Sequence, residues 1–332
     1  MPNKTILVVG GAGYIGSHTC LRLAAKGFCP VVFDNLSSGH VESVLWGPFE
    51  YGDIRDPTCI REVFKKYKPV AILHFAALID INASIKNPVL FYETNVIGSL
   101  NLMHAAKTEN VKILIFSSTC ATYGIPQQVL LNEEHPQIPI NPYGRTKYIV
   151  EQIIHDHNDY CGLKSVILRY FNAAGADFES LIGEWHNPET HAIPLAIKAT
   201  LNPKDVFKVF GYDYNTHDGT CLRDYIHVID LADAHIMALE YLLNGGESTV
   251  LNLGTGIGST VKELLISIEK ISGCNVPTAY TERRSGDSPA LVADNKKAKK
   301  ILGWTPKYNL DDIVLSAWNW HKKLSYSKDV IF

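Results

Sequence analysis

The chain has 332 residues, 46% hydrophobic and 20% charged, with 24 Gly and 16 Pro, a globular composition that excludes disorder, fibre and collagen and allows one large domain or two. Lys and Arg number 31 against 34 Asp and Glu, so the net charge is −3 with no basic block, which argues against nucleic acid or an anionic membrane as partner. The seven cysteines are odd in number and never spaced C-x-x-C, no apolar run approaches the ~20 residues of a membrane helix, and the polar start runs straight into a strand pattern; these features predict a cytoplasmic protein with reduced thiols and no signal peptide, disulfide scaffold or zinc site.

In chain order, short β-branched runs alternate with helical patterns. Residues 6–9, 31–33, 71–75, 113–116 and 165–168 are nearly continuous apolar sequence, as suits strands buried on both faces. Helical stretches at 17–26, 90–107 and 143–160 fall between them, and the alternation predicts an α/β fold with a doubly wound parallel sheet. After about residue 172 the rhythm breaks. Residues 172–224 are rich in Gly, Pro, His and Asn around one helical island near 194–199, followed by a helix at 231–243, a strand at 250–253 and helices at 261–271 and 309–324. We expect a nucleotide-binding domain over 1–172, with segments from about 224–255 returning to it, and a smaller substrate domain over 173–332 interleaved with the first.

Gly10-Gly-Ala-Gly13-Tyr-Ile-Gly16 follows the first strand and opens the first helix. Glycines there allow a tight turn, close approach of a pyrophosphate to backbone N–H groups, and close helix–strand packing, the requirements of a Rossmann-type dinucleotide site. The second strand ends in Asp34, 18 residues after Gly16 and near the expected ~20. A carboxylate there accepts bonds from both adenosine ribose hydroxyls and repels a 2′-phosphate, so the expected cofactor is NAD, not NADP.

Asn141-Pro-Tyr143-Gly-Arg-Thr-Lys147 starts a helix and puts Tyr143 and Lys147 on one face. A nearby ammonium favours phenolate, the form a phenol needs to act as a base near neutral pH. Such a pair alone is most often a packing contact. Here Ser117-Ser-Thr119 also ends a predicted parallel strand, at the edge where open α/β sheets take ligands.

The glycine turn, Asp34-Asn35, Gly52-Asp53-Ile54, His74-Phe-Ala-Ala77, Phe116-Ser-Ser-Thr119, Tyr143-x-x-x-Lys147, Arg169-Tyr-Phe-Asn172 and Arg223-Asp-Tyr-Ile-His227 together resemble the extended short-chain dehydrogenase/reductase family. Within it they are most similar to the nucleotide-sugar epimerases that interconvert UDP-glucose and UDP-galactose, a resemblance running through Arg283-Arg-Ser-Gly-Asp287. It implies NAD held by Gly10, Gly13, Tyr14, Ile15, Gly16, Asp34, Asn35, Ser38 and Gly39, with Asp53 and Ile54 flanking the adenine and Phe75, Ala76 and Ala77 lining the cleft. Thr119, Tyr143 and Lys147 match the catalytic trio, which also borders cofactor and sugar, and Phe171 falls beside the nicotinamide. For the UDP-sugar it implies Asn172, His191, Phe210, Arg223, Arg284, Asp287 and Leu291, the two arginines on the diphosphate and Asp287 on the uridine ribose. It further implies a homodimer built on the helices at 90–107 and 143–160.

The chain departs from the family pattern at Thr119 (serine in many epimerases), Ala77 (glycine), Ile79 (lysine), His191 (asparagine) and Leu291, where side-chain size is thought to set sugar tolerance. These changes leave the sugar open between UDP-hexose, UDP-N-acetylglucosamine and UDP-pentose. A dehydratase would place Asp-Glu after Thr119, where this chain has Cys120-Ala121, and a UDP-uronic acid decarboxylase has no positive support. A non-catalytic NAD sensor has no need of an activated phenol. No His, Cys or acid cluster with ligand spacing is apparent, so no metal is expected.

Overall fold

Seven strands form the central sheet of a computed structural model that describes residues 4–202, 204–284 and 288–326. They are β1 (Thr5–Val9), β2 (Cys29–Asp34), β3 (Phe49–Tyr51), β4 (Ala71–His74), β5 (Ile113–Thr119), β6 (Lys164–Tyr170) and β7 (Thr249–Leu253), ordered β7-β6-β5-β4-β1-β2-β3. Every pairing is parallel. The chain winds outward from β1 through β2 and β3, then from β4 in the other direction. The order therefore reverses between β1 and β4, where a crevice opens at the carboxyl ends of the strands.

The unbroken apolar runs follow from helices covering both faces. From β1, Ile6 and Val8 join a core with Leu168, Leu251 and the helices α1 (Tyr14–Ala25) and α6 (Val228–Leu243). The alternate residues Leu7 and Val9 join an opposite core with α2 (Pro57–Tyr67), α3 (Gly98–Thr108) and α4 (Pro142–Cys161). A third core lies apart from the sheet, where α5 (Ala192–Leu201), α7 (Val261–Ser272) and α8 (Leu310–Tyr326) bury Ile197, Leu264, Ile268 and Val314 around Val209 and Tyr225. Between these C-terminal helices, α6 and β7 return to the first core.

Two expectations change. The helix read over 90–107 is three pieces, Pro88–Phe91, a π-helical Tyr92–Ile97, and α3. The wider turn carries Asn95 inward, where its amide bonds Leu78 of the crevice wall and the Thr146 hydroxyl of α4. The edge strand β3 escaped the pattern because Phe49, Glu50 and Tyr51 are only partly covered. No described helix is long and apolar enough to cross a membrane, and none of the seven cysteines forms a disulfide.

Candidate active site

The glycine turn leaves room where a side chain would block it. Gly10 has φ +83°, and a Cβ there would lie 2.4 Å from Ala76 N; one on Gly16 would lie 2.2 Å from Gly10 O. Helix α1 starts at Tyr14 with Gly13 as its cap, so no side chain occupies its first free N–H groups. Beside it Asp34 is buried at the end of β2, accepting from Ala12 N at 3.1 Å and Leu36 N at 2.8 Å. Burial raises its pKa and these backbone bonds oppose the rise.

A cavity of about 500 Å³ runs from this turn along the strand ends. On the nucleotide side it is lined by Gly10, Gly13, Tyr14, Ile15, Gly16, Asp34, Asn35, Ser38, Gly39 and Ile54. Phe75, Ala76, Ala77 and Ile79, from the segment after β4, line its middle. Asp53 is not on the wall. Its carboxylate accepts from Asn35 at 2.9 Å and pairs with Arg55 at 2.6 Å, so it positions Asn35 from behind.

The reactive end gathers Thr119 at the end of β5 with Tyr143 and Lys147 on successive turns of α4. That helix starts where it does because Asn141 caps the Gly144 N–H at 2.8 Å and Pro142 occupies the first turn. Burial pushes the Tyr143 phenol up to about 12, against a lowering hydrogen bond from Thr119. Burial brings Lys147 down to about 7, with the Glu151 charge opposing it. The ammonium donates to Ser117 O at 2.8 Å and sits 4.9 Å from the Phe116 ring centre. The hydrogen bond of Lys147 in this geometry thus goes to a backbone carbonyl of β5. Behind it Glu151 pairs with Arg169 at 2.5 Å, fully buried, and accepts from Ser118 and Gln137.

Phe171, Asn172, Arg223, Leu291 and His191 also line the cavity. Arg223 is held by Leu222 O and Ser288 O at 2.9 and 2.8 Å, and Leu291 packs with Cys120 and Phe171. Phe210 and Arg284 stand off the wall, the guanidinium 4.2 Å from the ring centre. Asp287 lies outside the described residues.

The expectation of no ligand-like cluster needs correction. Glu184, His186, Glu189 and His191 converge with their donor atoms within 4.8 Å of one another, and Glu184, His186 and His191 face the cavity. Burial lowers His186, but the carboxylates of Glu184 and Glu189 beside it outweigh that and raise the imidazole to about 9. The sequence signal was the spacing E-x-H-x-x-E-x-H over 184–191, inside a loop with no periodicity to flag it.

A phenol, a hydroxyl and a lysine facing a dinucleotide-sized crevice define a nicotinamide-dependent oxidoreductase-type site. The chain belongs to the NAD dependent epimerase/dehydratase family, whose model matches residues 6–254. Among its relatives, a UDP-glucose 4-epimerase of Rhizobium leguminosarum bv. trifolii is 64% identical over 323 residues, 97% of this chain and 99% of the relative. The structure of UDP-glucose 4-epimerase from Brucella ovis in complex with NAD superimposes with a TM-score of 0.93 at 48% identity, covering 95% of this chain and 98% of that one. That of UDP-glucose-4-epimerase from Stenotrophomonas maltophila, with bound NAD and formylated UDP-arabinopyranose, gives 0.93 at 38%, covering 97% and 99%.

Proposed function

We propose that this chain is an NAD-dependent isomerase that interconverts UDP-glucose and UDP-galactose by inverting the sugar's C4, with Tyr143 as acid–base. The observation that carries this reading is the convergence of Thr119, Tyr143 and Lys147 at one end of the cavity that begins on the glycine turn. The residues fit NAD: Gly10 and Gly16 have no space for a side chain, the α1 N-terminus is bare for the pyrophosphate, and Asp34 suits unphosphorylated ribose. When bound, NAD supplies a reversible two-electron acceptor for C4 and a positive ring near Tyr143, so the sugar passes through a 4-keto form.

The chain's own part is proton handling and orientation. Tyr143 takes the proton from the 4-hydroxyl and returns it to the same oxygen once the sugar has turned and C4 has regained its hydrogen on the other face, while Thr119 shares that proton by hydrogen bonding. Lys147 holds Ser117 and the end of β5 in place and adds positive charge behind the reacting atoms. Arg223 takes the diphosphate as a permanently charged fork, and Arg284, stacked on Phe210, is the second arginine assigned to it. Asn172, His191 and Leu291 border the sugar and diphosphate.

A dehydratase reading has no chemical support at Cys120, whose thiol burial pushes up to about 12, leaving no acid beside Thr119. We read the sheet with its two flanking cores as the nucleotide-binding unit and the third core as the substrate unit. Cysteines outside any disulfide suit the cytoplasm. Exposed Val89, Ile97, Leu100 and Tyr160, on the helices at 88–108 and 142–161, favour a homodimer through that face. The test is incubation with UDP-galactose, UDP-N-acetylglucosamine and UDP-pentoses, with chromatographic separation of epimers. UDP-galactose is expected to give UDP-glucose; no product from any of them, with NAD bound, overturns the reading in favour of a sensor.

A further inference from the structure

We propose that Glu184, His186, Glu189 and His191 bind one divalent transition-metal ion of the zinc type, which fastens the 184–191 loop to the cavity wall. The proposal does not require the epimerase reading, although Glu184, His186 and His191 also line the same cavity. Its argument is geometric. Each imidazole turns Nδ1 toward the same two carboxylates, with His191 at 2.9 and 3.1 Å from Glu184 and Glu189 and His186 at 3.4 and 3.6 Å. A tetrahedron with bonds of about 2.0–2.1 Å has edges of about 3.3 Å, and the distances from the two imidazoles to Glu184 Oε1 and to one or other oxygen of Glu189 straddle that length. Two imidazole nitrogens and two carboxylate oxygens are a donor set that zinc accepts.

A second observation points to a missing partner. His186 Nδ1 is buried and makes no hydrogen bond, because the carboxylate oxygens beside it lie too far away or out of line. An ion between the four donors satisfies that nitrogen, whereas two ion pairs without a metal leave it strained toward both acids. Glu184 is itself buried, so its charge needs a compensating cation.

The surroundings give the ion a structural task. Trp320 Nε1 donates to Glu184 O at 2.9 Å, tying the loop to α8. The Trp185 ring stacks on His40 with centroids 3.7 Å apart, and His40 Nε2 meets Trp185 O at 3.0 Å. The loop therefore bridges α8 and the segment after Asp34, and an ion held by four of its side chains would rigidify that bridge.

The test uses full-length protein purified without a chelator and without a metal-binding tag. After exposure to micromolar Zn²⁺ and desalting, elemental analysis is expected to find about one zinc per chain. Co²⁺ in its place is expected to give the intense visible absorption of a tetrahedral site. His186→Ala and Glu189→Gln are expected to lower bound zinc by at least roughly tenfold at the same free concentration, with unchanged far-ultraviolet circular dichroism. Should His186→Ala not fold, Glu189→Gln and the more exposed His191→Asn carry the comparison. Wild-type protein that retains neither Zn²⁺ nor Co²⁺, or variants that retain them as well as wild type, overturn the proposal and leave the cluster as paired histidine–glutamate salt bridges.

Discussion

Lys147 Nζ donates to the Ser117 carbonyl at 2.8 Å, joining the helix that carries Tyr143 to the strand that carries Thr119. The lysine thus ties these two elements together, while burial pushes the phenol up to about 12, so the base role proposed for Tyr143 draws on positive charge brought beside it. Its own pKa falls from the ordinary 10.5 to about 7 because the charge is costly inside the protein.

That depression has a testable sign. Between about pH 7 and 10 the unfolded chain binds a proton at this lysine that the folded chain releases, so its contribution to stability improves as pH rises through that window and is least favourable below pH 7. In nucleotide-free protein, Lys147→Met should unfold at a higher temperature than wild type at pH 6, with the gap closing toward pH 10, while turnover collapses. Thermal melts across pH check this; a gap that widens with pH contradicts it.

Asp34→Ala should weaken NAD binding by about 10–100-fold, the loss expected for charge-assisted bonds to the ribose, and bring NADP closer to NAD in affinity. Fluorescence titration with both nucleotides reads it. Preference for NADP with Asp34 intact would defeat the ribose argument.

Glu151 and Arg169 form a fully buried pair behind the reactive end. Glu151→Ala leaves the guanidinium without its partner and should cost about 3–5 kcal/mol in urea unfolding, whereas Glu151→Leu with Arg169→Met should cost much less than two such losses. Additive losses in the double variant would mean that the pair is not coupled.

How far the sequence could be read depended on how local each signal was. Central strands were visible because both faces are buried, and the glycine turn because its spacing is local, with Gly16 answering the carbonyl of Gly10 in the same turn. Tyr143 and Lys147 share a face by helix geometry alone. What spacing could not convey was orientation. Asp53 turns to Asn35 and Arg55 and away from the crevice, Arg284 lies on Phe210, and Lys147 bonds a backbone carbonyl that no side-chain pattern encodes. The Glu184–His191 cluster forms within an aperiodic loop, and the π-helical turn that buries Asn95 looks like ordinary helix in the sequence.

Leu291 shares the cavity wall with Phe171 and pairs in register with Arg223. It leaves more volume than a ring but offers no hydrogen bond to an acetamido group. We expect UDP-glucose and UDP-galactose as the main pair, with lesser turnover of UDP-N-acetylglucosamine. Leu291→Tyr should suppress the N-acetyl reaction and spare the hexose reaction in parallel rate assays. Equal loss of both, or a wild-type preference for the N-acetyl sugar, contradicts this assignment.

The most direct test of the central claim is conversion of UDP-galactose in deuterium oxide by wild-type protein and by Tyr143→Phe, with nuclear magnetic resonance reading both the epimer formed and the isotope at C4. A phenol that moves only the hydroxyl proton, while C4 loses and regains its own hydrogen within the closed site, predicts UDP-glucose with protium at C4. It also predicts a variant slower by roughly 10²–10⁴ or more that still binds UDP. Deuterium at C4, or a Tyr143→Phe variant that turns over at the wild-type rate, would contradict the account.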